Sequence, residues 1–325
     1  MKVVITDSEY PDFDIERAVL EEAGLTVVRA QARTPEEVAR AAEGAGALIV
    51  QWAEVTDEVY EAAPTVGLVS RYGVGVDNFD VAGAERRGVW IANVPDYGTQ
   101  DVAAHAFAGV MAGVRHLKQY DALSARGTWD YLATGTVRRL SSLTIGVLGL
   151  GRIGRTLAAG AAPWFGRVVA YDPALPDASW PQAIERVGLD EVFQRSDVLS
   201  LHLPLNDETR HIADARRLGL MPRGAILVNT ARGGLVDEQA LHTALETGQL
   251  ALAAVDTWTD EPVPADHPLV GHPRVIASPH AAWYSQEAEE EVRRRAALNV
   301  ATWFRTGRPD HVVVAGTRAA RGPAD

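Results

Sequence analysis

One stretch of the chain, residues 143–173, constrains the fold more than any other. It opens with an apolar run rich in β-forming residues and continues into a glycine-spaced turn, G-x-G-x-x-G, at 149–154. A helix-like segment follows through Ala162, and a second apolar run ends at Asp172. This order of strand, glycine turn, helix, strand and acid is typical of a βαβ unit that binds a dinucleotide.

The glycine turn has a physical reason at each position. Gly149 permits a tight turn, Gly151 lets the backbone approach a pyrophosphate, and Gly154 lets the helix pack closely on the strand. The N-terminus of the following helix, at Arg152 and Ile153, is expected to hold the phosphate charge.

Asp172 lies about 20 residues after the glycines, where a carboxylate can accept hydrogen bonds from a ribose diol. It would repel a 2′-phosphate, and no arginine follows it closely. We therefore expect NAD rather than NADP as the cofactor. An α/β turn whose glycines only relieve crowding is the alternative interpretation of the same stretch.

Length and composition exclude several classes of protein. The 325 residues exceed one ordinary domain and 47% of them are apolar, so two α/β domains are expected. The net charge of −12 argues against a surface that binds nucleic acid or an anionic membrane. With no cysteine, the chain has neither a disulfide nor a thiolate nucleophile. No signal-peptide pattern or bilayer-length apolar run is visible, which favours a cytoplasmic protein.

The N-terminal part of the chain alternates short apolar runs with amphipathic segments, which predicts a parallel sheet covered by helices on both faces. Strand candidates lie at 3–6, 26–30, 47–51, 66–70 and 89–92, and helix candidates at 15–23, 35–42 and 81–86. Pro95 and Gly98 then interrupt both periods, so we expect a domain boundary there, followed by a long helix from Thr99.

A second glycine-spaced loop, at 70–80, leaves the C-terminal end of a predicted strand. Such a loop exposes backbone N–H groups at the sheet edge where α/β proteins hold small anions. An equally good interpretation is a plain connection from strand to helix, with Asp77 and Asp80 as caps.

Three polar residues, Arg232, Glu261 and His280, each follow the C-terminal end of a predicted strand. That edge of an open α/β sheet is the ligand crevice, so we expect the three side chains to converge. His280 could exchange a proton with a carbonyl oxygen, and Glu261 could orient its ring. Arg232 could bind a carboxylate with its guanidinium fork. Singly, each could be structural; together, after a dinucleotide motif, they favour hydride transfer to a carbonyl.

Three segments, at 228–237, 256–262 and 278–280, closely resemble the signatures of the D-isomer-specific 2-hydroxyacid dehydrogenases. The resemblance runs from the 73–80 loop through the C-terminal helix. It implies an NAD-dependent, reversible reduction of a small 2-oxo acid to the D-2-hydroxy acid. It also implies a homodimer.

The resemblance implies an α/β fold of two doubly wound parallel-sheet domains. A Rossmann cofactor domain, 99–285, is inserted in a flavodoxin-like substrate domain, 1–98 and 286–325.

The resemblance also assigns roles to residues. It implies Arg232, Glu261 and His280 as the catalytic set and the Val74 and Gly75 N–H groups as binders of the substrate carboxylate. Near the cofactor it implies Asp256, beside the nicotinamide amide, with Val102, Pro204 and Thr209.

The segment 279–285 looks like the C-terminal-binding-protein group of corepressors within that family. That likeness implies Trp283 in the wall of the substrate pocket and Arg71 on the carboxylate. A large aromatic there favours an apolar substrate side chain. Alternatively, Trp283 only packs at the domain interface.

Two other functions remain open from the sequence: an NADH-responsive binding protein like those corepressors, and the same chemistry on a phosphonate or phosphorylated acid.

The remaining histidines show no metal-ligand spacing, so we predict no metal site. From Ser285 we predict a capped helix whose charge run, with the pairs Glu289–Arg293, Glu290–Arg294 and Glu291–Arg295, is a solvated face. Residues 317–325 read as a disordered tail.

Overall fold

The computed structural model describes residues 1–320 and divides the chain into two compact units. Unit 1 contains residues 1–97 and the chain from Ser285 onward, and unit 2 contains residues 98–284. The predicted domain boundaries lie one residue from these divisions.

Unit 1 begins with strands and helices in strict alternation. Their bounds are β1 (Lys2–Ile5), α1 (Asp14–Glu22), β2 (Thr26–Arg29), α2 (Pro35–Ala41), β3 (Ala45–Val50), α3 (Asp57–Ala62), β4 (Leu68–Arg71), α4 (Val81–Arg87) and β5 (Trp90–Ala92). All five strands pair in parallel, and apolar side chains of β1, β3, β4 and β5 form a buried core with α2, α3 and α4.

Unit 2 continues the alternation around a larger sheet. Its elements are α5 (Thr99–Val114), α6 (Leu117–Ser124), β6 (Thr144–Leu148), α7 (Arg152–Ala161), β7 (Arg167–Tyr171), β8 (Glu185–Arg186), α8 (Leu189–Arg195), β9 (Val198–Leu201), α9 (Ala215–Leu220), β10 (Ala225–Asn229), α10 (Glu238–Glu246), β11 (Leu250–Val255) and β12 (Val275–Ala277). The strand order is β12-β11-β10-β9-β6-β7-β8, and every pair is parallel. Apolar clusters cover both faces of this sheet.

The chain returns to unit 1 through α11 (Gln286–Thr306) and β13 (Val312–Val314). β13 pairs antiparallel with β5 and completes a sheet of order β13-β5-β4-β3-β1-β2. The predicted class, two doubly wound parallel-sheet units with one inserted in the other, is confirmed. Among residues 1–320, no helix combines the length and the apolar character that crossing a membrane requires.

Helix α11 begins where the sequence predicts, because the Ser285 hydroxyl accepts a hydrogen bond from the Ala288 N–H at 3.1 Å. The prediction that its charge run is a solvated face is wrong for Arg293, which is 3% exposed. The guanidinium lies 3.0 Å from the buried Glu16 carboxylate of α1 and 2.7 Å from Asp12. Because α11 packs on α1, position 293 falls on the inner face of the helix.

Two of the three predicted i,i+4 pairs on α11 are present, Glu289–Arg293 at 3.3 Å and Glu291–Arg295 at 2.7 Å. The third, Glu290–Arg294, is not among the ion pairs of residues 1–320. The predicted disordered tail, in contrast, starts too early. The N–H groups of Thr317 and Arg318 both donate to the Gly88 carbonyl at 2.9 Å, and Arg318 reaches the Val66 carbonyl at 2.7 Å. The rest of the predicted tail, 321–325, lies outside the described residues.

The buried pair of Arg293 and Glu16 yields a stability prediction. Arg293→Met removes the cation and leaves the Glu16 carboxylate buried without it, so we expect a loss of about 3–5 kcal/mol in unfolding free energy. Arg294→Met, one residue along the same helix but exposed, is the matched control and should change stability by less than about 0.5 kcal/mol. Urea unfolding followed by fluorescence measures both. Equal midpoints for the two variants would contradict the assignment.

Candidate active site

The three predicted catalytic residues follow three neighbouring strands of unit 2. Arg232 follows β10, Glu261 follows β11 and His280 follows β12. These strands are adjacent and parallel, so their carboxyl ends meet at one edge of the sheet. All three residues lie in loops that leave this edge.

The His280 ring is fixed by Glu261. His280 Nδ1 lies 2.7 Å from Glu261 Oε2, and Glu261 Oε1 accepts a hydrogen bond from the Trp258 N–H at 2.9 Å. Since a carboxylate can only accept, Nδ1 carries a proton. The other ring nitrogen, Nε2, is therefore the atom that can exchange a proton with a ligand.

Glu261 remains ionised. Burial raises the pKa of its carboxyl, but the hydrogen bond and charge of His280, the Trp258 N–H and the positive charge of Arg232 together outweigh burial, so the pKa lies below its usual value. Because the positive charge of Arg232 acts on the Glu261 carboxylate, the third predicted residue belongs to the same cluster. Arg232 is braced by Asn229, whose side-chain amide donates to the Arg232 carbonyl at 2.8 Å.

The backbone of His280 is strained. Its φ of 52° lies in the left-handed region, which costs a non-glycine residue about 1–2 kcal/mol. The His280 N–H donates to the Asp256 carbonyl at 2.8 Å. The Asp256 carboxylate, 1% exposed, accepts from the N–H groups of Ala281 at 2.9 Å and Ala282 at 3.0 Å. Asp256 thus anchors the loop that carries His280, while its contact with a cofactor amide stays a prediction.

The glycine turn between β6 and α7 has the geometry that a dinucleotide needs. Gly149 has a φ of 98°, and a Cβ at Gly154 would collide with the Gly149 carbonyl oxygen. A Cβ on Gly151 would meet no atom within 4 Å, and no side chain caps the N-terminus of α7. The open space and the uncapped N–H groups at Arg152 and Ile153 fit a pyrophosphate.

Asp172 follows β7, as predicted, and its hydrogen bonds fix the glycine turn in place. One carboxylate oxygen accepts from the Leu150 N–H at 2.7 Å, and the other from the N–H groups of Ala174 at 2.9 Å and Leu175 at 3.1 Å. The oxygen that accepts from Leu150 keeps a second lone pair, which can accept from a ribose hydroxyl. The contact with a ribose itself stays a prediction.

The other predicted cofactor residues lie on two elements of unit 2. Pro204 and Thr209 belong to the loop after β9, where the Thr209 hydroxyl donates to the Pro204 carbonyl at 2.7 Å and accepts from the Asn206 N–H at 2.8 Å. Thr209 therefore shapes this loop from within. Val102 is buried in the first turn of α5.

Sequence reasoning missed three polar residues, His105, Thr230 and Ser278. Together with the predicted Asp256 they line a cavity of about 200 Å³ in unit 2. The Thr230 hydroxyl is buried and has no hydrogen-bond partner within residues 1–320. A buried orphan hydroxyl beside Asp256 fits a polar ligand group such as an amide. The positions of the three missed residues in the sequence could have indicated two of them, because Thr230 and Ser278 directly follow β10 and β12.

The predicted substrate residues of unit 1 lie at the end of β4 and in the loop beyond it. Arg71 is the last residue of β4, and its guanidinium lies 5.5 Å from the centre of the Trp52 ring. The Gly73 and Val74 carbonyls accept hydrogen bonds from the chain at 93–94, at 2.9 and 2.7 Å, which fixes the loop that includes Gly75.

Trp52 is a second residue that sequence reasoning missed. It follows β3, and its N–H donates to the buried Asp7 carboxylate at 2.6 Å. Asp7 also accepts from the N–H groups of Gln51 at 3.1 Å and Ala53 at 3.2 Å, so the loop is rigidly held. Trp283 lies in unit 2, with its ring 5.7 Å from that of Tyr284 in an edge-to-face arrangement. Its pocket role stays a prediction.

Three further residues, His242, Glu246 and His272, come together although their sequence spacing did not indicate it. One potential ligand atom from each lies within 4.8 Å of the others. His272 Nδ1 accepts from the Arg274 N–H at 3.0 Å, so the neutral ring carries its proton on Nε2, 3.0 Å from Glu246. An ion would have to displace that proton, so the geometry fits a hydrogen-bonded cluster better than a metal centre.

Comparisons with known proteins show the family to which the chain belongs. Residues 107–282 match the model of the D-isomer specific 2-hydroxyacid dehydrogenase family, NAD binding domain. D-3-phosphoglycerate dehydrogenase of Methanocaldococcus jannaschii is 36% identical over 293 residues, 89% of this chain and 55% of that protein. Glyoxylate reductase of Korarchaeum cryptofilum is 37% identical over 261 residues, 79% of this chain and 78% of that protein.

Among solved structures, D-lactate dehydrogenase from Aquifex aeolicus with NAD and lactic acid has a TM-score of 0.86 and 27% identity, and the match covers 97% of this chain and 100% of that one. The chain belongs to the D-isomer specific 2-hydroxyacid dehydrogenases, and unit 2 carries the family's NAD-binding domain. It spans about half the length of the phosphoglycerate dehydrogenases it matches. The narrower likeness to corepressors stays a prediction.

His202, directly after β9, yields a pH prediction. Burial of the ring lowers its pKa from 6.5 to about 4. As pH falls below 6.5, the unfolded chain takes up a proton that the folded chain refuses until about pH 4, so stability is lost across this window. Because an edge of the residue reaches solvent, we expect a loss of about 2 kcal/mol rather than the full value of the shift.

His202→Gln should keep a partner for the Ser200 hydroxyl, which lies 2.8 Å from the ring, and should remove this part of the acid sensitivity. Unfolding free energies measured from pH 7 to pH 4 test it. His211→Gln, at an exposed histidine, is the control and should leave the slope unchanged. A slope as steep in His202→Gln as in the wild type would refute the assignment.

Proposed function

We propose that this protein catalyses the reversible, NADH-dependent reduction of a small 2-oxo acid with an apolar side chain to the D-2-hydroxy acid. The observation that carries the proposal is the hydrogen-bonded pair of His280 and Glu261 at 2.7 Å, with the charge of Arg232 acting on Glu261. The proposal also includes the cytoplasmic location that the sequence favours.

Bound NADH supplies a hydride to the carbonyl carbon. His280 begins protonated on both nitrogens and gives its Nε2 proton to the carbonyl oxygen, which becomes the hydroxyl. It keeps the Nδ1 proton, which is donated to Glu261 throughout. The carboxylate holds the orientation of the ring before and after the transfer. In the reverse direction, neutral His280 takes the hydroxyl proton back.

The family resemblance suggests which groups hold the rest of the substrate, and we adopt these roles as part of the proposal. The N–H groups of Val74 and Gly75 and the Arg71 guanidinium bind its carboxylate, and Arg232 polarises the adjacent carbonyl. For an apolar side chain the proposal relies on two aromatic residues: Trp283, from the family resemblance, and Trp52, whose ring lies 5.5 Å from the Arg71 guanidinium.

A phosphorylated acid is the second candidate, and the relatives named D-3-phosphoglycerate dehydrogenase favour it. The loop after β3 counts against it. Residues 51–54 are Gln-Trp-Ala-Glu, so this loop offers an aromatic ring and an acid rather than the cations that a phosphate needs. A purely regulatory role is less well supported, because a binding protein does not need the complete catalytic set.

We propose a homodimer on separate grounds. Large apolar side chains cluster in solvent along and after α6: Leu117 is 53% exposed, Trp129 97%, Tyr131 77% and Leu132 65%. A patch of this kind on a monomer is unusual and typical of an interface. The same segment on a second copy is its proposed partner.

A substrate panel tests the reaction. We expect NADH formation from NAD with D-2-hydroxyisocaproate to exceed that with D-3-phosphoglycerate by tenfold or more in kcat/KM. The reason is that Trp52 and Glu54 suit an apolar group and oppose a phosphate. Absorbance at the reduced-nicotinamide band measures both rates, with D-lactate and glycolate as small members of the panel.

His280→Ala is the control for the chemistry. It should bind NADH as the wild type does, measured by fluorescence, and lose turnover by about a thousandfold or more, because the proton donor is gone. Full activity in this variant would eliminate the proton-transfer role. A wild type that binds NADH but oxidises or reduces no acid would instead favour the regulatory alternative.

The dimer has its own test. Trp129→Glu places a charge in the proposed interface and should shift the protein from dimer to monomer in sedimentation velocity at micromolar concentration. Trp164→Glu, at a half-exposed tryptophan after α7, is the matched control and should leave the mass unchanged. A wild-type monomer would rule out the proposal.

A further inference from the structure

We propose that His105 is a positioning residue, which holds the backbone of His280 in place through Ser278 and Asp256. The inference rests on the proposed function, in which His280 is the proton donor. All four residues lie in unit 2, and His105 comes from α5, far in sequence from the other three.

A chain of hydrogen bonds links the four residues. His105 Nε2 lies 3.0 Å from the Ser278 hydroxyl, which lies 2.5 Å from Asp256 Oδ1. The direction of each bond follows from Asp256, because a carboxylate can only accept. Ser278 therefore donates its proton to Asp256, and its oxygen accepts from a proton on His105 Nε2.

Asp256 is the centre of the chain. Its carboxylate is buried, and it is stabilised by three donors: the Ser278 hydroxyl and the N–H groups of Ala281 and Ala282. A buried carboxylate depends strongly on each donor, because losing one leaves part of its charge without a hydrogen bond. His105 lies 3.9 Å from the same carboxylate and polarises the hydroxyl that points at it.

The loop needs this support because of its strain. His280 has a φ of 52°, and its N–H is held by the Asp256 carbonyl at 2.8 Å. Strained backbone persists only where neighbouring bonds outweigh it. If the Asp256 carboxylate turns, Ala281 and Ala282 lose their acceptor and the His280 backbone can relax. The ring then leaves its orientation on Glu261, which the reaction depends on.

Two nearly isosteric substitutions at His105 separate this role from packing. Glutamine can place an amide N–H close to the position of Nε2 and keep the bond to Ser278. Asparagine is shorter by one methylene and matches Nδ1 instead. We expect kcat of His105→Asn to fall about tenfold, and kcat of His105→Gln to stay within twofold of the wild type.

A double-mutant cycle tests the path through Ser278. Ser278→Ala should lower kcat by a similar factor, and adding His105→Asn to it should lower kcat no further, because the link is already broken. If kcat of the double variant fell by the product of the two single factors, the proposal would be overturned. His242→Asn, on α10, is the control histidine and should leave kcat unchanged.

A readout without turnover separates this inference from the proposed function. Hydrogen exchange of the Ala281 and Ala282 amides, measured by NMR on the full chain, should be at least fivefold faster in His105→Asn than in the wild type or His105→Gln. Should the wild type reduce no 2-oxo acid, the proposed function fails and the exchange rates alone decide on His105. Unchanged exchange in His105→Asn, or equal impairment in both variants, would overturn the positioning role.

Discussion

Register between three neighbouring strands is the constraint on which the candidate site depends. Asn229 of β10 pairs with Val255 of β11, and Val255 pairs with Ala277 of β12, so the three strands end in one row. The loops carrying Arg232, Glu261 and His280 therefore start side by side. A slip of one residue would turn the side chains at the ends of these strands to the opposite face of the sheet.

Acids that follow strands serve unit 1 and unit 2 in the same way. Asp7 after β1, Asp172 after β7 and Asp256 after β11 each accept backbone N–H groups from a neighbouring loop. Loop N–H groups at a sheet edge have no strand partner, and a carboxylate satisfies two or three at once. Each acid thereby converts a connection into a rigid platform for residues such as Trp52 or His280.

What could be predicted from the sequence was mostly local. The glycine turn, the Ser285 cap and the strand-end positions of Arg232, Glu261 and His280 depend on neighbours in the chain, and the structure has them as predicted. Arg293 was misjudged because its charge suggested solvent, whereas its burial depends on Glu16, 277 residues away. The His105–Ser278 bond spans 173 residues, and the His242–Glu246–His272 cluster joins a helix to a distant loop. No periodicity reports such contacts.

The path of the chain through unit 1 has a consequence for biosynthesis. Strand β5 needs β13 as its partner, and the Glu16 carboxylate needs Arg293, yet all of unit 2 is translated between them. Unit 2 is one continuous segment and can acquire its tertiary structure while the ribosome is still adding residues. The N-terminal half of unit 1 must wait, with one helix face uncovered, until α11 emerges from the exit tunnel.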